Sequence, residues 1–162
     1  MQLCIDARLP KEHNGVEGEA VYINSEGSFS PERCFAMDQF LVEHVRANTE
    51  RRNRAAVAST STSTSKAQAT TRHTPPLWFT PETILDGIHV YCVHDEAAQM
   101  ATIQSLPTMI QKRAELGNPV RLVVIDSIAF HYRCAPPGSD YMVRTRSLTT
   151  TAAFLSDVSN LL

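Results

Sequence analysis

Lysine is scarce in this chain, with three among 162 residues: Lys11, Lys66 and Lys112. They follow Pro10, Ser65 and Gln111, and none follows a glycine. A G-x-x-x-x-G-K-[ST] phosphate loop is therefore absent from these residues. No apolar run approaches the roughly 18 residues that a membrane-spanning helix needs. The stretch from Met1 to Pro10 lacks the charged start and apolar core of a secretory signal. Cys4, Cys34, Cys92 and Cys134 form no C-x-x-C pair, so zinc-ribbon spacing is missing and a disulfide framework is not expected. Reduced, mostly buried, intracellular thiols are the expectation. Neither charge sign dominates: Lys+Arg 15 stands against Asp+Glu 17, a formal net charge of -2. That excludes a polycationic tail and leaves room for one local basic groove. What is present is 43% hydrophobic residues, enough to build a core, in a length that suggests one domain.

The pattern of elements is α/β. Residues 2–9 read as the last turns of a helix and 10–18 as a loop. Residues 18–24 read as a short buried strand, apolar and β-branched or aromatic at its centre. A polar turn follows, and Ser30-Pro31-Glu32 is a helix start: a capping hydroxyl, a proline at the first helical position and an acid near the positive end of the dipole. Cys34, Met37, Leu41 and Val45 recur at helical spacing, which predicts a core-facing stripe in a helix ending about Arg54. Arg46, Arg51, Arg52 and Arg54 crowd that end. They read as a solvated helix terminus, with nuclear import or nucleic-acid contact as the alternative.

Residues 55–76 change character, and Ser59 to Ser65 alternates serine and threonine throughout. Such a stretch buries no apolar surface and predicts a disordered insertion at 55–76. Trp78 marks the return to packed structure. A second strand is predicted at 87–93. A helix of about 20 residues capped by Asp95 follows, with Ala98, Ala101, Ile103 and Ile110 inside and a kink or break at Pro107. Residues 120–126 form the third strand, whose apolar run ending in Asp126 predicts a central parallel strand covered on both faces. After a loop at 133–141, a last helix turns Leu148, Ala152, Leu155, Val158 and Leu162 to one side. Strands alternating with helices predict a parallel sheet, with few strands for such a sheet.

Ligands of open α/β sheets lie beyond the carboxyl ends of the strands. Glu26 follows the first strand and Asp126 ends the third. Two such acids suit phosphoryl transfer, one holding the water shell of Mg²⁺ and the other orienting or deprotonating the attacking water. Simpler roles, a turn residue for Glu26 and a turn cap for Asp126, are the alternative. His89, Cys92, His94 and Asp95 do not converge on a metal, because alternate strand residues point to opposite faces.

The segment Val21-Tyr22-Ile23-Asn24-Ser25-Glu26-Gly27-Ser28-Phe29 with Pro31-Glu32-Arg33 resembles the Y-I-D-T-E-G-T-F-x-P-E-R signature of RecA-type recombinases. Leu122 to Ser127 resembles their Walker B strand. The residues from Gln2-Leu3-Cys4 to Val21, Leu106-Pro107, and Arg121 to Phe130 with Ile128-Ala129-Phe130 are similar to the eukaryotic recombinase paralogues. The similarity is closest to the C-type paralogue of homologous recombination. The resemblance covers nearly the whole chain outside the Ser/Thr segment.

This resemblance implies a partial RecA-like P-loop NTPase core over residues 1–162, a mostly parallel sheet flanked by helices. In that family G-K-T immediately precedes Q-L-C, and Met1 stands where the threonine would be. The chain is accordingly expected to be a fragment, also lacking a later core strand and DNA-contacting loop. It is expected to bind ATP poorly or not at all and to show low stability or aggregation in isolation. The resemblance further implies that Glu26 is the catalytic glutamate and that Asp126 and Ser127 are the Walker B pair serving Mg and ATP. Arg33 would lie near the adenine, and Arg133, Arg144 and Arg146 would contact DNA. It implies a DNA-dependent ATPase of homologous recombination in the nucleus, acting with other recombinase paralogues on single-stranded or branched DNA and with no membrane. A non-catalytic scaffold fragment that binds other paralogues is the alternative. Asn24 and Ser25 depart mildly from the family's Asp and Thr.

Overall fold

The computed structural model describes residues 1–60, 74–134 and 141–162, with the backbone alone for 56–60. In chain order the elements are α1 (Gln2–Asp6), a 3-10 turn (Lys11–His13), β1 (Glu19–Asn24), α2 (Pro31–Thr60) and α3 (Pro81–Asp86). Then come β2 (Ile88–Cys92), α4 (Glu96–Glu115), β3 (Val120–Asp126), α5 (Phe130–Arg133) and α6 (Tyr141–Ser159).

The three strands form one parallel sheet in the order β2-β1-β3. All six residues of β1 are buried. Side chains alternate across a strand, so each face of β1 feeds a different core. Ala20 and Tyr22 join Cys4, Ile5, Cys34, Val42, Val45, Phe79, Ile84 and Ile88 beneath α1, α2 and α3. Val21 and Ile23 join Ile103, Leu106, Ile110, Val120 and Val158 beneath α4 and α6. Leu122 and Val124 continue the first layer, and Val123 and Ile125 the second.

The expectation of a central third strand is corrected. Among the described residues β3 lies at a sheet edge, only its Val120 is buried, and β1 is the strand flanked on both sides. An apolar run reports coverage of two faces and does not report how many hydrogen-bonded neighbours a strand has.

The helix starts follow local chemistry. The Arg33 N–H donates to Ser30 Oγ at 3.2 Å. The Ala98 N–H donates to Asp95 Oδ1 at 2.7 Å. The short helix α3 lies just before the second predicted strand and was not foreseen. Its N-cap Thr80 accepts from the Thr83 N–H at 3.3 Å. α4 runs unbroken through Pro107.

α2 continues to Thr60, beyond the predicted end near Arg54, so residues 55–60 are helical rather than the start of an insertion. Alanine and arginine are strong helix formers and carry the helix on. The rest of the predicted insertion, residues 61–73, lies outside the described residues. α6 begins at Tyr141, and most of the predicted 133–141 loop also lies outside the described residues. Ala101 and Ala152 are exposed, and Gln99 and Thr151 are buried in their helices instead. Gln99 Nε2 donates to the Ile128 carbonyl at 2.9 Å, and Thr151 Oγ1 to the Ser147 carbonyl at 2.9 Å. Cys4 and Cys34 are buried as expected, but Cys92 and Cys134 are exposed.

Two buried acids stand out. Glu19, whose side chain is 5% exposed, is held by Nε and Nη2 of Arg113 and lies 2.8 Å from His89 Nε2. Burial pulls its pKa up, and the bonds from Arg113 and His89 together outweigh that, leaving the carboxyl below its ordinary range. Asp38 on α2 is 0% exposed, and neither of its oxygens has a hydrogen-bond partner. Burial alone pushes it up to about 7.

Candidate functional site

The carboxyl ends of β1 and β3 form one rim, where Asn24 and Asp126 are register partners. The ladder extends one step further, the Ser25 N–H donating to the Asp126 carbonyl at 2.9 Å. The chain then turns sharply. Asn24 Oδ1 accepts from the Ser28 N–H at 3.1 Å, and Gly27 has φ 74°, where a side chain would be strained. This turn carries Glu26 and Ser28 back over the end of β3.

Asp126 is held from β1 and from the turn. Its Oδ2 accepts from the Tyr22 hydroxyl and from Ser28 Oγ, the latter at 2.8 Å. These two bonds favour the anion, Tyr22 first, and hold Asp126 below the ordinary carboxylate range. Tyr22 is raised, by burial first and then by the carboxylate it serves. Glu26 sits across from it. Its Oε1 accepts from Ser127 Oγ at 2.6 Å and from Arg133 Nη2 at 3.0 Å. Ser25 Oγ donates to the Ser127 carbonyl at 2.9 Å, tying the first turn to the residue after β3.

The rim thus gathers Glu26, Asp126, Ser127 and Arg133. One acid is locked by two hydroxyls with its Oδ1 without a hydrogen bond among the described residues, and the other is steadied by a serine and an arginine. Tyr22, Ser25 and Ser28 were missed as supporting residues, although three hydroxyls within four positions of an acid were a readable signal.

The other sequence candidates are spread out. Arg33 is exposed on the first turn of α2. Arg144 donates to the Tyr132 carbonyl at 3.2 Å, and Arg146 is exposed. Arg133 and Arg144 line a cavity of about 500 Å³ with Tyr132, Tyr141 and Leu148, beside the rim. His89 serves Glu19, while Cys92, His94 and Asp95 are exposed. Among the described residues no three His, Cys, Asp or Glu side chains are grouped to cage a metal. None of the helices there is long and apolar enough to cross a membrane.

A parallel sheet with paired acids at its carboxyl rim and helices on both faces is a partial RecA-like core. The Rad51 family profile matches residues 1–72. The chain is 30% identical over 158 residues to a DNA repair protein RAD51 homolog 3 of Dictyostelium discoideum, covering 98% of this chain and 35% of that protein. A protein of the same name from Cricetulus griseus is 29% identical over 160 residues, covering 99% and 38%. A DNA repair and recombination protein RadA of Halobacterium salinarum is 27% identical over 161 residues, covering 99% and 43%. Together these likenesses support a RecA-type recombinase paralogue. The chain spans less than half the length of these relatives.

Proposed function

We propose that this chain is the acid-bearing half of a recombinase-paralogue ATPase core that acts in DNA repair by homologous recombination. The observation that carries this reading is the shared rim, with Glu26 and Asp126 on neighbouring parallel strands cross-tied through Ser25, Ser28 and Ser127.

The rim fits a hydrated magnesium ion carried by a nucleotide triphosphate. Mg²⁺ keeps most of its waters and takes few protein ligands, and Asp126 presents one hard oxygen outward. Mg·ATP, when bound, supplies the γ-phosphoryl group and the charge that balances it. Asp126 and Ser127 would hold the ion through its waters. Glu26, held by Arg133 and Ser127, would orient the attacking water and take its proton. Arg33 would lie near the adenine. Arg133, Arg144 and Arg146, with the tyrosines beside them, contact DNA, since guanidinium groups hold phosphates and aromatic faces stack bases without reading sequence. Partner paralogues complete the assembly, and the setting is the nucleus.

Replacing Asp126 by Asn in the encoding gene is expected to sensitise cells to agents that break both DNA strands, with unstressed growth unchanged. Normal survival with normal protein levels would remove the ATPase role and favour a scaffold that binds other paralogues.

A further inference from the structure

A second cleft lies far from the rim. It is formed where the segment from Leu9 to His13 meets the middle of α2, from Leu41 to Arg52, about 15 to 32 Å along that helix from its first residue at 1.5 Å per residue. Its volume is about 480 Å³. His13, His44, Asn48, Arg51 and Arg52 line it, over an apolar floor of Leu9, Leu41 and Val45. The α2 residues fall at helical spacing, so one face presents them together.

The lining contains no carboxylate. Among the described residues neither Arg51 nor Arg52 makes a hydrogen bond or ion pair, and Glu50 between these turns is engaged by Arg54 at 3.2 Å. Asn48 Nδ2 lies 2.7 Å from His44 Nε2. With the amide donating, the neutral ring carries its proton on Nδ1 and is itself a donor. The cleft therefore gathers donors and positive charge above a hydrophobic base, in a volume within the range of small-ligand sites.

We infer that this cleft is an anion-binding site for a phosphate monoester with a flat or apolar body. Two guanidinium forks match the geometry and charge of a phosphate, and the Leu9, Leu41 and Val45 floor accepts the carbon portion. Arg51 and Arg52, which the sequence reads as part of a solvated helix terminus, are thereby binding residues within α2. This inference is independent of the rim and of any nucleotide held there.

The phosphate could be that of a small metabolite or the terminal phosphate of a nucleic-acid strand. The experiment is an NMR titration of the arginine Nε–Hε signals of the full 162-residue chain with inorganic phosphate, against chloride at equal ionic strength. A 5′-phosphorylated oligonucleotide and its 5′-hydroxyl twin are titrated next. Phosphate is expected to shift Arg51 and Arg52 saturably, and chloride not to. The Arg51→Ala/Arg52→Ala double variant should weaken binding about tenfold or more, the scale of losing charge-assisted hydrogen bonds. Asn48→Asp, which keeps the arginines and adds a carboxylate to the lining, should weaken it similarly, and Arg46→Ala should not. Tighter binding of the 5′-phosphorylated strand than of its twin assigns the strand end. Equal oligonucleotide binding with saturable phosphate assigns a small ligand. Equal, unsaturable shifts of all exposed arginines in both salts would overturn the site. So would saturable binding unchanged by both the double variant and Asn48→Asp.

Discussion

Asp38→Asn is expected to stabilise the protein above pH 7 by on the order of 4 kcal/mol and to leave it unchanged near pH 4. Asp38 is fully buried, its two oxygens are unpartnered, and burial raises it from 3.8 to about 7. A carboxyl raised on folding binds its proton more tightly in the native state. Below 3.8 both states are protonated and the group contributes no pH dependence. Between 3.8 and about 7 the unfolded chain ionises while the folded one does not, so stability falls as pH rises and levels off above about 7. A shift of roughly three units at 1.36 kcal/mol per unit sets the scale.

The surroundings offer no compensation. Cys34 on the same helix and Cys4 from α1 are thiols pushed up by burial, and therefore neutral across this window. α3 turns Ile84 inward and leaves Glu82 and Asp86 exposed. Urea denaturation of the wild type and Asp38→Asn from pH 4 to 8.5 measures the difference directly. Parallel curves for the two proteins would show that Asp38 ionises freely in the folded state.

Asp38 also shows where sequence reading stops. The stripe Cys34, Met37, Leu41, Val45 was visible because apolar residues advertise a face through their period. The helix indeed packs on that side, with Val42 and Val45 buried and Met37 and Leu41 half-buried. Asp38 lies within the same stripe, but a polar residue at a core position looks like any surface residue until its neighbours are known. The rim was legible for a different reason. An acid at the end of an apolar strand must lie at the sheet's carboxyl edge, so Glu26 and Asp126 could be placed on one rim once the strands were parallel. The strand order could not be read so directly. Val120–Asp126 has the more uninterrupted run, yet Glu19–Asn24 takes the centre, with Glu19 neutralised by residues 70 and 94 positions away. Pairing of that range leaves no local pattern, and the basic cleft on α2 was hidden likewise, because it is closed by Leu9 and His13 from a segment about thirty residues away in sequence.

Arg113→Ala is expected to destabilise the protein by about 3 kcal/mol at pH 7, more than the loss of an exposed ion pair such as Arg54–Glu50. Arg113 bonds both oxygens of Glu19 at the start of the central strand, where the carboxylate is almost wholly shielded from water. Removing the guanidinium leaves that anion with His89 as its remaining side-chain hydrogen-bond partner and Arg8 as a nearby charge. Because Arg113 itself is 27% exposed, solvent already weakens the pair, and the expected loss sits at the lower end of the range for buried pairs. The carboxyl of Glu19 is depressed on folding, so its contribution is present above the ordinary value of 4.5 and is lost as pH falls through the lower folded value. Arg113→Ala should therefore cost most near neutrality and progressively less in acid. The double variant Glu19→Gln/Arg113→Ala separates pair from packing: if an unpaired buried anion causes the loss, the double variant is more stable than Arg113→Ala alone. Equal or lower stability of the double variant would assign the loss to the packing of the arginine stem against the edge of the sheet.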